Sequence, residues 1–223
     1  MEPNKDIFKK LDEGRQYRNF TRFETRAEED GSRKTVEGYA TTFNQPYELY
    51  RETYPGEIYI VREQVDRAAF DNTDFSDVIM QYDHMGRVFA RTSNRTLALD
   101  TDETGLHIEA DLGGTEIGRQ LYDEIRGGYT DKMSFGFRVG RDKRERTEER
   151  DEEAGVVTYT ILRTILEISK LYDVSAVSLP ANDATSISAR NFCDGEIAEI
   201  RKEIQAAKER ERRMKKIKLL STL

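Results

Sequence analysis

Apolar and polar residues in this chain alternate more often than they recur at helical spacing, which predicts a mainly β protein. Residues 1–16 are polar and charged and predict an arm outside the core. Residues 17–26 alternate, with Tyr17, Asn19, Thr21, Phe23 and Thr25 on one face of an expected strand. Residues 29–32 (Glu-Asp-Gly-Ser) read as a turn, and 35–43 as a second strand. Gly38 inside that strand marks a bulge or a close backbone approach. A tyrosine-rich loop and short strand follow over 47–60. Val65, Ala68 and Ala69 then predict a short helix over 62–70. Residues 77–82 form a buried strand leading to His84. Residues 95–100 and 106–112 pair through the acidic turn 101–105. Ile117, Leu121, Tyr122 and Ile125 share one face of a helix over 115–126, stopped by Gly127-Gly128.

Strands resume at 132–139, with 156–162 as partner, and the charge run 141–153 between them reads as a solvated loop. A long strand-like stretch, 165–179, ends at Pro180. From 196 to 220, Ile197, Ile200, Ile204, Ala207, Met214, Ile217 and Leu220 recur near helical spacing. This predicts a charged helical tail that projects or pairs with a partner. About seven or eight strands, two inserted helices and a tail point to an antiparallel barrel or sandwich decorated with helices.

Composition narrows the picture. At 36% hydrophobic and 35% charged, the core is small for 223 residues, so part of the chain is expected to be solvated rather than packed. The net charge of −7 lacks the basic excess of a nucleic-acid binder. No stretch approaches the roughly 20 apolar residues of a membrane span, and no apolar segment follows the first residues as a signal peptide requires. The expectation is a cytoplasmic protein without membrane or nucleic-acid partners. A single cysteine, Cys193, rules out an internal disulfide and fits a reducing compartment; it reads as incidental.

Candidate chemistry is sparse. No His pair, Cys pair or calcium loop is present, so no metal and no cofactor is expected. Gly113-Gly114-Thr115 opens a helix without completing a phosphate loop, and reads as a helix cap. The chain has two histidines. His84 ends an apolar run; His107 alternates with Leu106 and Ile108 and is expected to face solvent. Ser134 sits among bulky apolar residues on a strand. Asp173 is a carboxylate in an otherwise apolar strand, which is costly without a partner. Together His84, Ser134 and Asp173 suggest a general base, a nucleophile and an orienting acid. From spacing alone the set is only suggestive, and Asp83 is an alternative acid.

The order of motifs over 36–190 resembles the caudovirus prohead serine proteases. The run 38–44 (Gly-Tyr-Ala-Thr-Thr-Phe-Asn) resembles that family's opening strand, and Arg67-Ala68-Ala69-Phe70 its helix. Tyr82-Asp83-His84 is similar to its histidine motif, and Ala90-Arg91-Thr92 to the pair that follows. Gly105-Leu106-His107-Ile108-Glu109-Ala110 resembles a further strand. Met133-Ser134-Phe135-Gly136-Phe137 is similar to the family's Ser-x-Gly-Phe. Leu171-Tyr172-Asp173-Val174-Ser175, continuing to Leu179-Pro180-Ala181-Asn182, resembles its last motif.

The resemblance implies an antiparallel β-barrel of the herpesvirus capsid protease type, edged by helices. It implies a serine endopeptidase with His84 as base, Ser134 as nucleophile and Asp173 as orienting acid. Glutamate is common at the third position, so aspartate requires a closer backbone. Arg91 is the oxyanion or substrate candidate. The implied substrates are phage scaffold or the scaffolding segment of the major capsid protein, inside the procapsid. Self-cleavage and a homodimer are expected by the same resemblance. The expected organisation is an arm (1–16), a protease domain (17–190) and a tail (191–223) that is removed or docks the enzyme. The rival expectation is a non-enzymatic capsid assembly protein of the same fold.

Overall fold

The computed structural model describes residues 14–27, 33–178 and 187–220. Most of the expected arm, the turn at 29–32 and the Leu179-Pro180-Ala181-Asn182 motif lie outside the described residues.

Eleven strands and two helices are formed in the order β1 (Gln16–Arg22), β2 (Glu24–Ala27), β3 (Lys34–Thr42), β4 (Tyr47–Tyr54), β5 (Glu57–Val65), β6 (Ile79–Tyr82), β7 (Met85–Arg91), β8 (Leu97–Thr101), β9 (Gly105–Asp111), α1 (Glu116–Arg126), β10 (Lys132–Asp151), β11 (Val156–Val177) and α2 (Ile187–Leu220) among the described residues. The class is therefore mainly β with helices, one of them C-terminal.

The barrel expectation is not borne out among the described residues. Among the described residues the strands make two sheets that share a core rather than one closed sheet. The larger runs β1-β10-β11-β5-β4, with β6 and β7 branching from β11; the smaller runs β2-β3-β9-β8. The pairing is also not all antiparallel. The 22-residue β11 gives its first half to β5 and its last turn of ladder to β6, both in parallel. Val36, Ala40, Ile108 and Ala110 of the small sheet meet Met133, Phe135, Val174 and Ala176 of the large one. Leu121, Tyr122 and Ile125 of α1 close this core. Thr115 caps α1, accepting from the Gly118 N–H at 3.0 Å, as its sequence suggests. The acidic turn also forms as expected, with Asp102 accepting the N–H groups of Thr104 and Gly105 at 2.7 and 3.0 Å.

Two further expectations are overturned. The charge run 141–153 is not a loop; most of it is the outer half of β10, paired with β11 as far as Asp151. Past Phe137, β10 has no strand on its other side among the described residues. Ladder bonds need no particular side chain, and charges are the usual guard of such an edge against stray pairing. The helix expected over 62–70 is not formed either. Tyr59, Val61, Glu63 and Val65 are all fully buried. That is period two, and it carries β5 on to Val65.

Glu63 is the cost of that alternation. Its carboxylate accepts from Arg18 Nε at 2.5 Å and Nη2 at 2.9 Å, from Arg163 Nη1 at 2.9 Å, and from the Tyr47 hydroxyl. Burial pushes its carboxyl upward, but the two guanidinium groups outweigh that and hold it below the usual range. Removing one partner of a buried ionic cluster leaves the other charges uncompensated. Glu63→Ala is expected to cost about 3–5 kcal/mol. Thermal unfolding should show it as a melting point lower by roughly 10 °C or more. An unchanged midpoint would contradict this account of the cluster.

The first turns of α2 pack on the large sheet. Cys193, Ile197 and Ile200 meet Leu49, Tyr59, Val61, Tyr159 and Ile161. Arg144 and Arg146 of β10 bond Glu196 and Glu203 at 2.5 and 2.9 Å. From 205 to 218 every side chain is exposed.

Candidate active site

Strand alternation puts the serine on the right face. Met133, Phe135 and Phe137 enter the core, so Ser134 and Gly136 turn to the opposite face of β10. Across the ladder Ser134 faces Ser175, and Gly136 faces Asp173. The register slips between Gly136 and Phe137, which skips Tyr172 on β11. This bulge lets both Leu171 and Val174 face the core while Asp173 joins Ser134 on the other side.

Ser134 and Asp173 are thus diagonal neighbours, a separation of roughly 7–8 Å. An imidazole with a hydrogen bond at each end spans that gap. His84 supplies it: Nε2 lies 2.6 Å from Ser134 Oγ, and Nδ1 lies 2.8 and 3.1 Å from the Asp173 carboxylate oxygens. The carboxylate can only accept, so Nδ1 carries the proton and Nε2 is free to accept from the serine. Ser134 and Asp173 are each 1% exposed.

Backbone conformation delivers His84 to this place. Tyr82 pairs with Met85, leaving Asp83-His84 as a two-residue hairpin loop. Both have positive φ, 49° and 58°. Type I′ hairpin turns need this, and Asn-Gly usually supplies it. Two residues with side chains are held there by Asp83. Its N–H donates to the Ala176 carbonyl at 2.9 Å, and its carboxylate accepts the N–H and hydroxyl of Ser178 at 2.9 and 2.8 Å. Asp83 clamps the turn and Asp173 contacts the imidazole.

The shorter aspartate arm is accommodated by Gly136. A Cβ at Gly136 would lie 2.5 Å from Asp173 Oδ1 and 2.8 Å from Tyr17 Cε1. The bare α-carbon lets the carboxylate lie close over β10. The glycine two residues after Ser134 was a readable signal of close approach. Ser178 and Tyr17 carried no such signal.

The remaining candidates make other contacts. Arg91 is engaged with Asp77 through its guanidinium, Nε donating at 3.0 Å, and its N–H donates to Thr96 Oγ1 at 2.9 Å. His107 is in the small sheet, half-buried against Tyr39 with ring centroids 5.2 Å apart. Burial pushes the Cys193 thiol up to about 12, which keeps it unreactive. A groove of about 650 Å³ lies between β7 and α1 and borders the turn at Asp83, lined by Tyr82, Met85, Phe89, Ile117 and Leu121 among others. None of His84, Ser134 and Asp173 lines it. No helix among the described residues is long and apolar enough to cross a membrane.

A family model described as caudovirus prohead serine protease matches residues 21–220. No curated protein and no solved structure matches the chain.

Proposed function

We propose that this chain, which belongs to the caudovirus prohead serine protease family, cleaves peptide bonds with Ser134 as nucleophile, His84 as general base and Asp173 as orienting acid. The family acts in phage capsid maturation. The observation that carries the residue assignment is the unbroken pair of hydrogen bonds, 2.6 Å from Ser134 to His84 and 2.8 Å from His84 to Asp173.

The chemistry follows from that geometry. Ser134 Oγ attacks the scissile carbonyl carbon as His84 Nε2 takes its proton. The imidazolium keeps its Nδ1–H on the Asp173 carboxylate, which stabilises the new positive charge without taking the proton. His84 then protonates the departing amine, leaving an acyl ester on Ser134. Water enters, gives a proton to His84 and attacks the ester; His84 returns a proton to Ser134 and the acid product leaves. The buried carboxylate makes this exchange more favourable than it would be in water, since the pair is stronger at low local dielectric.

The proposed substrates are scaffold, or the scaffolding segment of the major capsid protein, inside the procapsid in the host cytoplasm. Self-cleavage is part of the same reading. The test is co-expression of the chain with its capsid and scaffold proteins, followed by a fluorophosphonate probe on the purified chain. Shortened scaffold or capsid protein and a phosphonylated Ser134 in peptide mass spectrometry are expected. Full-length substrates and an unmodified Ser134 in a folded chain would overturn it.

A further inference from the structure

We infer that Tyr17, which precedes the matched residues 21–220, is a positioning residue for the proteolytic site, seating the His84 imidazole against Asp173 and keeping water from their hydrogen bond. The inference rests on the reading of His84 as general base.

Three observations meet at this side chain. The Tyr17 and His84 rings lie 4.3 Å apart between centroids, tilted by 55°. Tyr17 is in register with Gly136, which is in register with Asp173, so one row crosses three strands. Over Gly136 the Tyr17 ring edge and the Asp173 carboxylate converge, each within 3 Å of where a Cβ would stand. The imidazole is therefore held from two sides, by its hydrogen bond to the carboxylate and by the tilted Tyr17 ring on the strand side. Its side chain is 15% exposed.

The strand that carries Tyr17 is itself anchored. The next residue, Arg18, is fully buried and reaches Glu63 with Nε and Nη2. Its Nη1 donates to the Tyr17 carbonyl at 2.9 Å. The buried ionic cluster thus fixes the backbone of Tyr17, and strand alternation sends the ring to the face of Ser134, Gly136 and Asp173.

The ring matters to the chemistry for two reasons. An imidazole that tips away from Ser134 loses the near-attack geometry, and a displacement of about 1 Å can cost roughly a hundredfold in rate. Water at Nδ1 would compete for the Asp173 carboxylate and weaken its hold on the imidazolium. Both act after substrate is bound, so the effect belongs in kcat rather than KM.

The test uses the full chain with Tyr17→Ala and Tyr17→Phe. Tyr17→Ala is expected to lower kcat roughly 10- to 100-fold with KM unchanged. Tyr17→Phe, which keeps the ring, should restore the wild-type rate. The wild-type His84 Nδ1–H should appear in proton NMR as a downfield resonance protected from solvent exchange, retained in Tyr17→Phe and lost in Tyr17→Ala. If Tyr17→Ala loses its cooperative melting transition, Tyr17→Val carries the same expectation, since valine suits a strand but is too short to reach the imidazole. Wild-type kcat or a retained resonance in the short variant overturns the inference, as does a wild-type chain without the resonance. If the wild type cleaves nothing but the resonance follows the ring, the positioning role stands and the protease reading fails. If the wild type cleaves and Tyr17→Ala cleaves equally, the reverse holds.

Discussion

Ser134→Ala is expected to leave scaffold and capsid protein uncut on co-expression, with kcat lower by about 10⁶-fold where residual turnover can be measured. The substitution removes the hydroxyl proposed to form the acyl bond while leaving His84 and Asp173 paired. The fold should survive it. Ser134 projects from the face opposite Met133 and Phe135, and its hydroxyl lies 2.6 Å from His84 Nε2. Its melting point should therefore stay close to wild type, and the measurement is cleavage by gel and mass spectrometry beside that control. Wild type and variant giving the same cut products would remove Ser134 from the mechanism. Both giving the same uncut products, from folded protein that still enters procapsids, would favour an assembly role without catalysis.

Asp173→Asn should lower kcat by about 10⁴-fold with little change in KM. The substitution is nearly isosteric, so the close fit over Gly136 is retained and stability should change little. What changes is the direction of the hydrogen bond. An amide NH₂ facing Nδ1 favours the tautomer with its proton on Nε2, and that proton then points at Ser134 Oγ. A base that already holds its proton there cannot accept the one from serine. Steady-state kinetics with a peptide spanning the cleavage site checks this. Asp83→Asn should act differently. Asp83 holds the turn through Ser178, so its loss should appear first as a looser site and lower stability. Equal kinetic losses from both substitutions, with no difference in melting, would mean that the orienting acid is wrongly assigned.

Much of the candidate site is legible in the sequence. His84, Ser134 and Asp173 each stand out locally: a rare histidine before a glycine, a serine inside an apolar strand, a carboxylate in another. The motif order joined them. Strand type was legible where alternation was clean, as in β9 and the inner half of β10. It failed at 141–151, because a charged segment can pair through its backbone as well as an apolar one. It failed at 62–70, because Val65, Ala68 and Ala69 mimic a helical face while the residues before them keep the strand period.

Barrel closure was out of reach for a related reason. A strand pattern states which faces are apolar, and it does not state partners. The 22 residues of β11 serve β10, β5 and β6 at once, a sharing that no local side-chain pattern specifies.

The sequence by itself determined the residue types, their order and the faces they could occupy, because those depend on local period and on chemistry written in each side chain. Tertiary structure alone decided which carboxylate meets the imidazole. That choice turns on a one-residue bulge at Tyr172, a positive-φ turn and the space over Gly136, and each is set by contacts among distant segments. Tyr17 belongs wholly to the second kind. Nothing near it in sequence distinguishes it, and only the pairing of β1 with β10, tied down by a buried charge cluster, brings its ring to His84.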